Sequence, residues 1–286
     1  MVSSDNILDL VSSMKGGSRP FAMATVVRTV AATAAKPGAK AVILADGSIE
    51  GGWIGGGCAR AAVLKAAQAS LEDGRPRLVS IQPMDLLKDQ GLRPGDERSG
   101  IAFAKNMCPS QGTMDVFVEP FLPQPRLVVC GASPVAVALA RQASGLGLAL
   151  TIAAPPAELA TFPGTDGSRL DTYDLAALPA GERFIVVSTQ GKGDSAALKA
   201  ALSVEADYVA FVGSPKKAAA LRAEMAEAGM PPARLEDLRA PAGLDLGAIS
   251  PEEIALSILA EIIQVRRRGQ RRQLARADDS ASRRLP

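Results

Sequence analysis

The sequence lacks histidine altogether and has few cysteines and aromatic residues. Its 286 residues include no histidine, three cysteines and 3% aromatic residues. Without histidine the chain lacks the commonest general base, the Ser/His and Cys/His nucleophile pairs, and most ligand sets for zinc and iron. Any chemistry must therefore use thiols, carboxylates, lysines, the backbone or a bound cofactor.

Long apolar runs and disulfide patterns are missing as well. The chain has no uninterrupted run of about 20 apolar residues, the length that a membrane-spanning helix needs, and its first residues lack the charged and apolar regions of a signal peptide. Cys58, Cys108 and Cys130 are too widely spaced for a disulfide framework or a CxxC zinc pair. We expect a soluble, cytoplasmic protein with free thiols and no membrane span.

The positive charge of the chain is concentrated in a tail, residues 266–286. The net charge is +2, yet the tail holds eight arginines and two aspartates, so the rest of the chain is net acidic. We expect the tail to be a flexible, solvated end, the alternative being a docking arm for an acidic partner. It has no aromatic residues to stack on bases, so the sequence does not indicate nucleic-acid binding.

The whole chain is 47% hydrophobic, and its length allows two domains. Pro120, Pro123 and Pro125 lie between Glu119 and Arg126 and mark residues 121–126 as a linker. In residues 1–120, β signals at 21–30, 40–45 and 113–119 together with one helix predict an α+β domain. Within it we expect residues 91–112 to be a long, polar and functional loop.

Residues 127–265 show a different pattern, in which continuous apolar strands alternate with helices. This pattern predicts a Rossmann-like, doubly wound parallel sheet and places the chain in the α/β class. Its last helix has an N-cap serine, a proline at the first helical position and a capping-box glutamate, namely Ser250, Pro251 and Glu253.

The most informative motif is a glycine-dense loop that ends in a thiol: Gly55, Gly56 and Gly57 precede Cys58, and a helix-forming run follows. Glycines let a ligand approach the backbone, and the N–H groups at a helix start can hold a phosphate. The same position would lower the pKa of the thiol. Cys58 is therefore a candidate catalytic residue and metal ligand, and the three glycines are candidate cofactor-binding residues. The alternative is a tight turn with a small buried cysteine.

The other two cysteines differ in their expected exposure. Cys108 lies in the polar loop and is a second candidate catalytic thiol, whereas Cys130 closes an apolar strand and should be part of the core. If Cys58 and Cys108 faced one site, they would form a two-thiolate pocket suited to Cu(I) or to persulfide relay. The sequence alone does not bring them together.

A second candidate site lies at the carboxyl edge of the predicted parallel sheet. Gly131, Ala132 and Ser133 stand where a dinucleotide fingerprint would, but Ser133 replaces a glycine, Pro134 removes an N–H, and the second strand has no acidic residue at its end. A nicotinamide dehydrogenase is therefore not expected.

Other glycine turns should lie at the same edge of the sheet. One is at residues 191–193, and the other contains Gly213, Ser214 and Lys216. We expect this edge to hold a phosphate-bearing ligand, a dinucleotide being one form, and the alternative is an empty scaffold edge.

Several segments together resemble the XdhC/CoxI family, the maturation factors of molybdenum hydroxylases such as xanthine dehydrogenase and carbon monoxide dehydrogenase. They are GGWIGGGC, NMCPSQGT, GASPVA, FVGSPKK and GAISPEEIA, in order between residues 21 and 265. NMCPSQGT and GASPVA are closer to the carbon monoxide dehydrogenase accessory branch, the CoxF type. Arg60 stands where many relatives carry an acidic residue, so the role of that acid does not carry over.

The resemblance implies an accessory protein that binds the molybdenum cofactor, a pyranopterin that also exists in a cytidine dinucleotide form. Such a protein would assist sulfur or copper loading of the cofactor, or its insertion. The implied partners are an apo molybdenum hydroxylase, a sulfur donor and a second copy in a homodimer. Two other functions stay open, namely a nucleotide- or flavin-dependent redox enzyme and an adaptor that only docks the apo-enzyme.

Overall fold

A computed structural model of the chain describes residues 4–15, 17, 19–162, 164–191 and 193–282. The chain forms two compact units, Met1–Pro123 and Gln124–Pro286. The division between them falls within residues 121–126, the segment that the sequence predicts as a linker. None of the helices in the described ranges combines the length and the apolar character that a membrane crossing would require.

The first unit is built on a seven-stranded sheet with the order β3-β2-β1-β7-β4-β6-β5. Its elements are α1 Ser4–Lys15, β1 Phe21–Val30, β2 Lys40–Leu44, β3 Ile49–Gly52, α2 Gly57–Asp73, β4 Arg77–Pro83, α3 Met84–Asp89, β5 Glu97–Arg98, β6 Ile101–Asn106 and β7 Thr113–Phe121. All neighbouring strands are antiparallel except β4 and β6, which are parallel.

Helix α2 covers one face of this sheet because its small and apolar residues recur at helical spacing. Val63, Ala66 and Ala67 are buried and belong to one core cluster with Val26 of β1 and Val116 of β7. Helix α1 packs on the other face, where its residues Ile7 and Val11 form a separate core cluster with Phe21, Val42 and Leu44. The middle of α2 is therefore held against this face of the sheet.

The prediction of one long loop at residues 91–112 is wrong. The segment contains β5 and β6, and only residues 107–112 connect β6 to β7 as a loop. Phe103 of β6 is buried and packs in a small core cluster with Leu87 and Leu92. The reason is a parallel pairing with β4, which joins residues far apart in the chain and leaves no local signal.

The second unit is a parallel six-stranded sheet with the order β10-β9-β8-β11-β12-β13. Its elements are β8 Arg126–Cys130, α4 Pro134–Gln142, β9 Ala149–Ala153, α5 Pro156–Leu159, β10 Ser168–Leu170, β11 Arg183–Val187, α6 Asp194–Ser203, β12 Tyr208–Phe211, α7 Pro215–Glu227, α8 Pro232–Glu236, β13 Leu238–Arg239 and α9 Pro251–Ser282. Numbered within the unit, the strand order is 3-2-1-4-5-6, the order of dinucleotide-binding sheets.

Both faces of this sheet are covered, as in a doubly wound fold. One core cluster joins the strands to α4 and α9, and the other joins them to α6 and α7. The predicted α/β class with a Rossmann-like domain is confirmed. Helix α9 begins with the predicted capping box, in which the Glu253 carboxylate accepts the N–H of Ser250 at 2.9 Å and the Ser250 hydroxyl accepts that of Glu253 at 3.3 Å.

Helix α9 does not end at Val265, where the flexible tail was expected to begin. Its backbone is helical to Ser282, and Arg266 forms an ion pair with Glu182 at 3.5 Å. Arginine, glutamine, leucine and alanine are good helix formers, and Gly269 costs only about 1 kcal/mol relative to alanine. High charge alone is therefore a poor sign of a helix end.

Candidate functional site

Nothing in the described part of the chain requires glycine at positions 56 and 57, which precede Cys58. Gly55 is buried and has a φ of 103°, so the turn itself requires it. Gly56 and Gly57 are exposed, neither has a positive φ, and a Cβ atom built on either would meet no described atom within 4 Å. Open space over two unconstrained glycines lets a ligand approach the backbone closely.

Helix α2 begins in this open space without a side-chain cap. Gly56 is its N-cap residue, and in the described chain no side chain accepts a hydrogen bond there and no acidic residue occupies the first turn. The first N–H groups of a helix lack intrahelical partners and carry a partial positive charge. Cys58 is the second residue of α2, so its backbone lies where the sequence predicts, while its side chain lies outside the described residues.

Cys108 lies in the exposed loop between β6 and β7 and is polarised by its neighbours. The Ser110 hydroxyl donates a hydrogen bond to Sγ of Cys108 at 3.2 Å. This bond, followed by one from the Ser110 N–H, lowers the pKa of the Cys108 thiol below its ordinary value. Asn106 holds the loop, since its Oδ1 accepts the N–H of Cys108 at 2.9 Å. The thiol is thus both accessible and activated.

The loop that precedes Cys58 and the loop that carries Cys108, called here the two cysteine loops, both lie against the backbone of residues 31–35, between β1 and β2. A Cβ atom built on Gly55 would lie 3.9 Å from the Cβ atoms of Ala34 and Ala35. On the other side Gln111 forms a β-bridge with Ala32, and a Cβ on Gly112 would overlap the Ala32 carbonyl oxygen. The structure brings the loops to one segment, while a contact between the sulfur atoms of Cys58 and Cys108 stays a prediction.

A buried polar chain crosses the sheet of the same unit, and the sequence gives no sign of it. Asp115 on β7 accepts hydrogen bonds from Arg28 Nε and from the Ser80 hydroxyl, both at 2.6 Å. Gln82 continues the chain by donating to Ser80 at 2.8 Å. These partners come from three strands, so only the register of the sheet brings them together.

At the carboxyl edge of the second unit, the turn after β8 packs closely against the residues that follow β11. Gly131 has a φ of 99°, and a Cβ built on it would lie 2.6 Å from the Ser188 carbonyl oxygen. The hydroxyls of Ser133 and Ser188 are 2.6 Å apart, and Ser133 also accepts the N–H of Ala136 at 3.1 Å. Gly131, Ala132 and Ser133 therefore make a tight turn against the next strand.

Lys217, the neighbour of the candidate residue Lys216 at this edge, is paired within the protein. Lys217 forms an ion pair with the buried Asp194, which also accepts hydrogen bonds from the Thr189 hydroxyl and the Gly191 N–H. Burial opposes ionisation of Asp194, but the bonds from Lys217, Thr189 and Gly191 outweigh it and lower its pKa. Asp194 is not among the site residues expected from the sequence, although an acid in the first turn of a helix is a recognisable signal.

The turn at Gly213, the third at this edge, also uses its serine hydroxyl for a hydrogen bond within the protein. Gly213 precedes Ser214, whose hydroxyl caps α7 by accepting the Lys217 N–H at 3.3 Å, and Lys216 is exposed. In residues 191–193, Lys192 lies outside the described residues. Serine hydroxyls thus cap α4 and α7, and Asp194 occupies the start of α6, in contrast to the open start of α2.

Cys130 is a core residue, as its position in an apolar strand indicates. It is fully buried, and burial raises its pKa to about 12. Tyr173 packs against the same core cluster, and burial, followed by the charges of Cys130, Glu158 and Asp194, raises its pKa to about 12. Neither group is suited to acid–base chemistry near neutral pH.

Within the ranges that the structure describes, no three histidine, cysteine, aspartate or glutamate residues come together as a metal site.

Comparison with known families identifies both parts of the chain. The XdhC Rossmann domain family matches residues 127–262, and the XdhC and CoxI family matches residues 16–82. The chain therefore belongs to the XdhC and CoxI family. The second match contains the Gly55–Cys58 loop and the segment at residues 31–35.

Two curated relatives cover different shares of the chain. The uncharacterized protein YqeB of Escherichia coli (strain K12) is 28% identical over 91% of this chain and 46% of its own length. A protein of Bacillus subtilis (strain 168), described as a probable xanthine dehydrogenase subunit, is 29% identical over 54% of this chain and 47% of its own length. The chain thus spans about half the length of these two curated relatives.

A solved structure, described as a xanthine dehydrogenase from Bacillus halodurans, is also similar. It matches 93% of this chain and 96% of its own, with 21% identity and a TM-score of 0.44.

Proposed function

We propose that this protein is an accessory factor in the maturation of a molybdenum hydroxylase. It binds the molybdenum cofactor at the start of α2 and assists its sulfur or copper loading, or its insertion into the apo-enzyme. The client is of the xanthine dehydrogenase or carbon monoxide dehydrogenase type. Membership of the XdhC and CoxI family supports this role.

One observation carries the proposal: two cysteine loops meet the same segment, residues 31–35, beside an open helix start. A structural cysteine needs neither an accessible loop nor a hydrogen bond that favours its thiolate. Cys108 has both, and Cys58 occupies the helix position that favours a thiolate. The two loops therefore have the properties of a thiol site that handles a soft metal or sulfur.

The residues at the start of α2 fit the phosphate of a pyranopterin cofactor. Gly56 and Gly57 leave room above the backbone, the first N–H groups of α2 are uncapped in the described chain, and Arg60 is an exposed cation in the same turn. When bound, the cofactor would supply the molybdenum and the dithiolene chemistry. The chain's own part is to hold the phosphate and present the thiols of Cys58 and Cys108.

The roles of the thiols differ in this proposal. Cys108, whose thiolate Ser110 favours, attacks the outer sulfur of a donor persulfide, and the donor's inner sulfur leaves as a thiolate; alternatively Cys108 takes Cu(I) from a donor by ligand exchange. Cys58, at the helix start, then takes that outer sulfur in the same way, with the Cys108 thiolate as leaving group, or contacts the metal end of the cofactor. Arg60 replaces the acid of many relatives, so no carboxylate chemistry is assigned to that position.

The proposal is tested by replacing Cys58 with serine in a host that depends on the protein for its client. We expect Cys58→Ser to leave the melting temperature unchanged and to reduce client activity at least tenfold. The matched control is Cys130→Ser, which buries a hydroxyl in the core and should lower the melting temperature without a specific loss of maturation. Normal client activity with Cys58→Ser would favour an adaptor whose thiols are not reactive.

A second test separates cofactor binding from thiol chemistry. Gly56→Ala and Gly57→Ala should fold normally, because nothing described lies near the added methyl groups, but should weaken retention of the cofactor. Gly269→Ala is the control, since it also adds a methyl group into open space. Cofactor retained on the purified protein is measured by release, oxidation and fluorescence. Equal retention in all three variants would remove the α2 site from the proposal.

A nucleotide on the second unit is the other candidate function, favoured by its strand order. The Ser133–Ser188 and Asp194–Lys217 contacts engage hydroxyls and an ammonium group at the edge where NAD would bind in its usual pose. We expect titration calorimetry to find no tight NAD binding. Tight binding of NAD, FAD or a cytidine dinucleotide would support a redox enzyme instead.

A further inference from the structure

Residues 31–35 and the loop that carries Cys108 both emerge from one end of the antiparallel strand pair β1–β7. The pairing ends at Val30 of β1 and Thr113 of β7. Residues 31–35 directly follow this end of β1, and the Cys108 loop directly precedes the start of β7. The register of β1 on β7 at this end therefore determines where the two segments stand relative to each other.

A β-bulge interrupts the pairing just before this end. Val26 pairs with Val116 and Arg28 pairs with Asp115, so Val27 is an extra residue of β1. Its side chain is 50% exposed. A bulge places two residues of one strand opposite one residue of the other. Without the bulge, each later residue of β1 would lie one residue, about 3.3 Å, further along β7.

An ion pair joins the two residues that follow the bulge. Arg28 Nε lies 2.6 Å from Oδ2 of Asp115, and the Ser80 hydroxyl donates to Oδ1 at 2.6 Å. The Asp115 side chain is 12% exposed and that of Arg28 is 62% exposed. A nearly buried carboxylate needs its partners. In the register without a bulge, Val27 would face Asp115 and Arg28 would turn to the face that α2 covers.

Beyond the strand ends the two segments meet again in a conformation that needs support. Ala32 forms a β-bridge with Gln111. Ala31 and Gln111 have φ angles of 61° and 51°, which residues with a side chain keep only where the surrounding structure holds them. The Gln111 N–H also donates to the Cys108 carbonyl at 3.1 Å. A displacement of Ala32 would therefore reach the Cys108 turn through Gln111.

We propose that Arg28 and Asp115 are positioning residues for the two cysteine loops: their ion pair selects the bulged register of β1 on β7, and this register holds residues 31–35 against the Cys108 loop. In this role neither residue contacts the cofactor or the transferred sulfur. The proposal deepens the proposed function and rests on its thiol chemistry. Its readout is the reactivity of Cys108 in the purified protein, which requires no client enzyme.

The first experiment measures alkylation of Cys108 by iodoacetamide at fixed pH, followed by mass spectrometry. Asp115→Asn removes the charge with little change of shape, and Arg28→Gln removes the charge of the exposed partner. We expect each variant to slow alkylation about threefold, because a displaced turn weakens the Ser110 hydrogen bond that favours the thiolate. Arg28→Lys keeps a positive charge and N–H donors and should restore most of the rate.

The matched control is Asp73→Asn. Asp73 forms an ion pair with Arg77 in the same unit, also at 2.6 Å, at the C-terminal end of α2. The substitution should lower the melting temperature by an amount similar to that of Asp115→Asn and leave the alkylation rate of Cys108 unchanged. Loss of stability is thereby separated from loss of register.

The second experiment fixes the register without the ion pair. Val30 and Thr113 are direct partners after the bulge. In a Cys58→Ser background, Val30→Cys/Thr113→Cys therefore places two thiols at the distance of a cross-strand disulfide. Combined with Asp115→Asn, the oxidised pair should restore the alkylation rate of Cys108, whereas the same variant kept reduced should stay slow.

Unchanged rates in Asp115→Asn and Arg28→Gln would overturn the proposal, and so would an equal loss in Asp73→Asn or a disulfide that restores nothing. If Asp115→Asn does not fold, Arg28→Gln alone decides, because it changes an exposed side chain. Failure of the maturation role is distinguishable. A slowed thiol in Arg28→Gln together with normal client activity in Cys58→Ser would keep the positioning role and remove the proposed function.

Discussion

The Cys108 thiol shows how a single neighbour sets reactivity. Because the Ser110 hydroxyl and N–H lower its pKa, more thiolate exists at a given pH than for an ordinary cysteine. We expect the rate of alkylation of Cys108 to rise through a midpoint below the ordinary thiol pKa. Ser110→Ala removes the largest cause and should move this midpoint to higher pH, as measured by mass spectrometry over a pH series.

The control for this labelling is Cys130 in the same molecule. It is fully buried with a pKa of about 12, so it should react only on unfolding. A Cys108 midpoint that does not move in Ser110→Ala would show that the hydrogen bond does not control the thiol.

Glycine at position 131 is required by two separate constraints. Its φ of 99° disfavours any side chain, and an added Cβ would press on the Ser188 carbonyl oxygen at 2.6 Å. We expect Gly131→Ala to destabilise the protein by about 3 kcal/mol, as the sum of backbone strain and overpacking. Denaturant unfolding checks the value.

Gly145 provides the comparison because it has a φ of 86° but open space around its Cβ position in the described chain. Gly145→Ala should therefore lower the free energy of unfolding only by the backbone strain, about 1 kcal/mol. Equal losses of stability in the two variants would mean that a small shift of the backbone relieves the contact with Ser188.

At the scale of elements, the serines that cap α4 and α7 differ in their hydrogen-bond partners. Ser214 caps α7 alone, whereas the buried Ser133 caps α4 and also bonds to Ser188 on the neighbouring turn. Ser214→Ala should cost about 1 kcal/mol, the usual value of a cap. Ser133→Ala should cost about 2 kcal/mol because a buried hydroxyl loses its partner. Thermal and urea unfolding of both variants test the difference.

Elements with a strong local pattern were predictable from the sequence. β1 occupies residues 21–30 as expected, and the capping box at Ser250 marks the start of α9. β6 was missed because its partner β4 is distant in sequence, and α9 was cut short because its arginines resemble a disordered tail. Local propensity therefore identified elements but not every end of them.

The candidate sites show the same limit. Cys58 at a helix start follows from the sequence, because glycines and a helix-forming run adjoin it. The meeting of both cysteine loops at residues 31–35 and the pairing of Lys217 with Asp194 depend on the tertiary fold. The sequence therefore indicated which residues were chemically suited to a site, while their neighbours came only from the structure.

At the scale of the molecule, the division into two compact units predicts that the second unit folds without the first. The second unit, Gln124–Pro286, has its own sheet and two core clusters. Expressed alone, it should unfold in one cooperative transition, because a complete doubly wound sheet buries its own core. A fragment starting at residue 134, which lacks β8 from the centre of the sheet, should not fold. Calorimetry and circular dichroism distinguish the two outcomes.

The backbone at residues 31–35 supports the Gly55 loop on one side and Gln111 and Gly112 on the other. The five residues are therefore a shared support for the loop before Cys58 and the loop that carries Cys108. We expect a substitution that displaces this segment to disturb both loops together, although neither cysteine is itself changed.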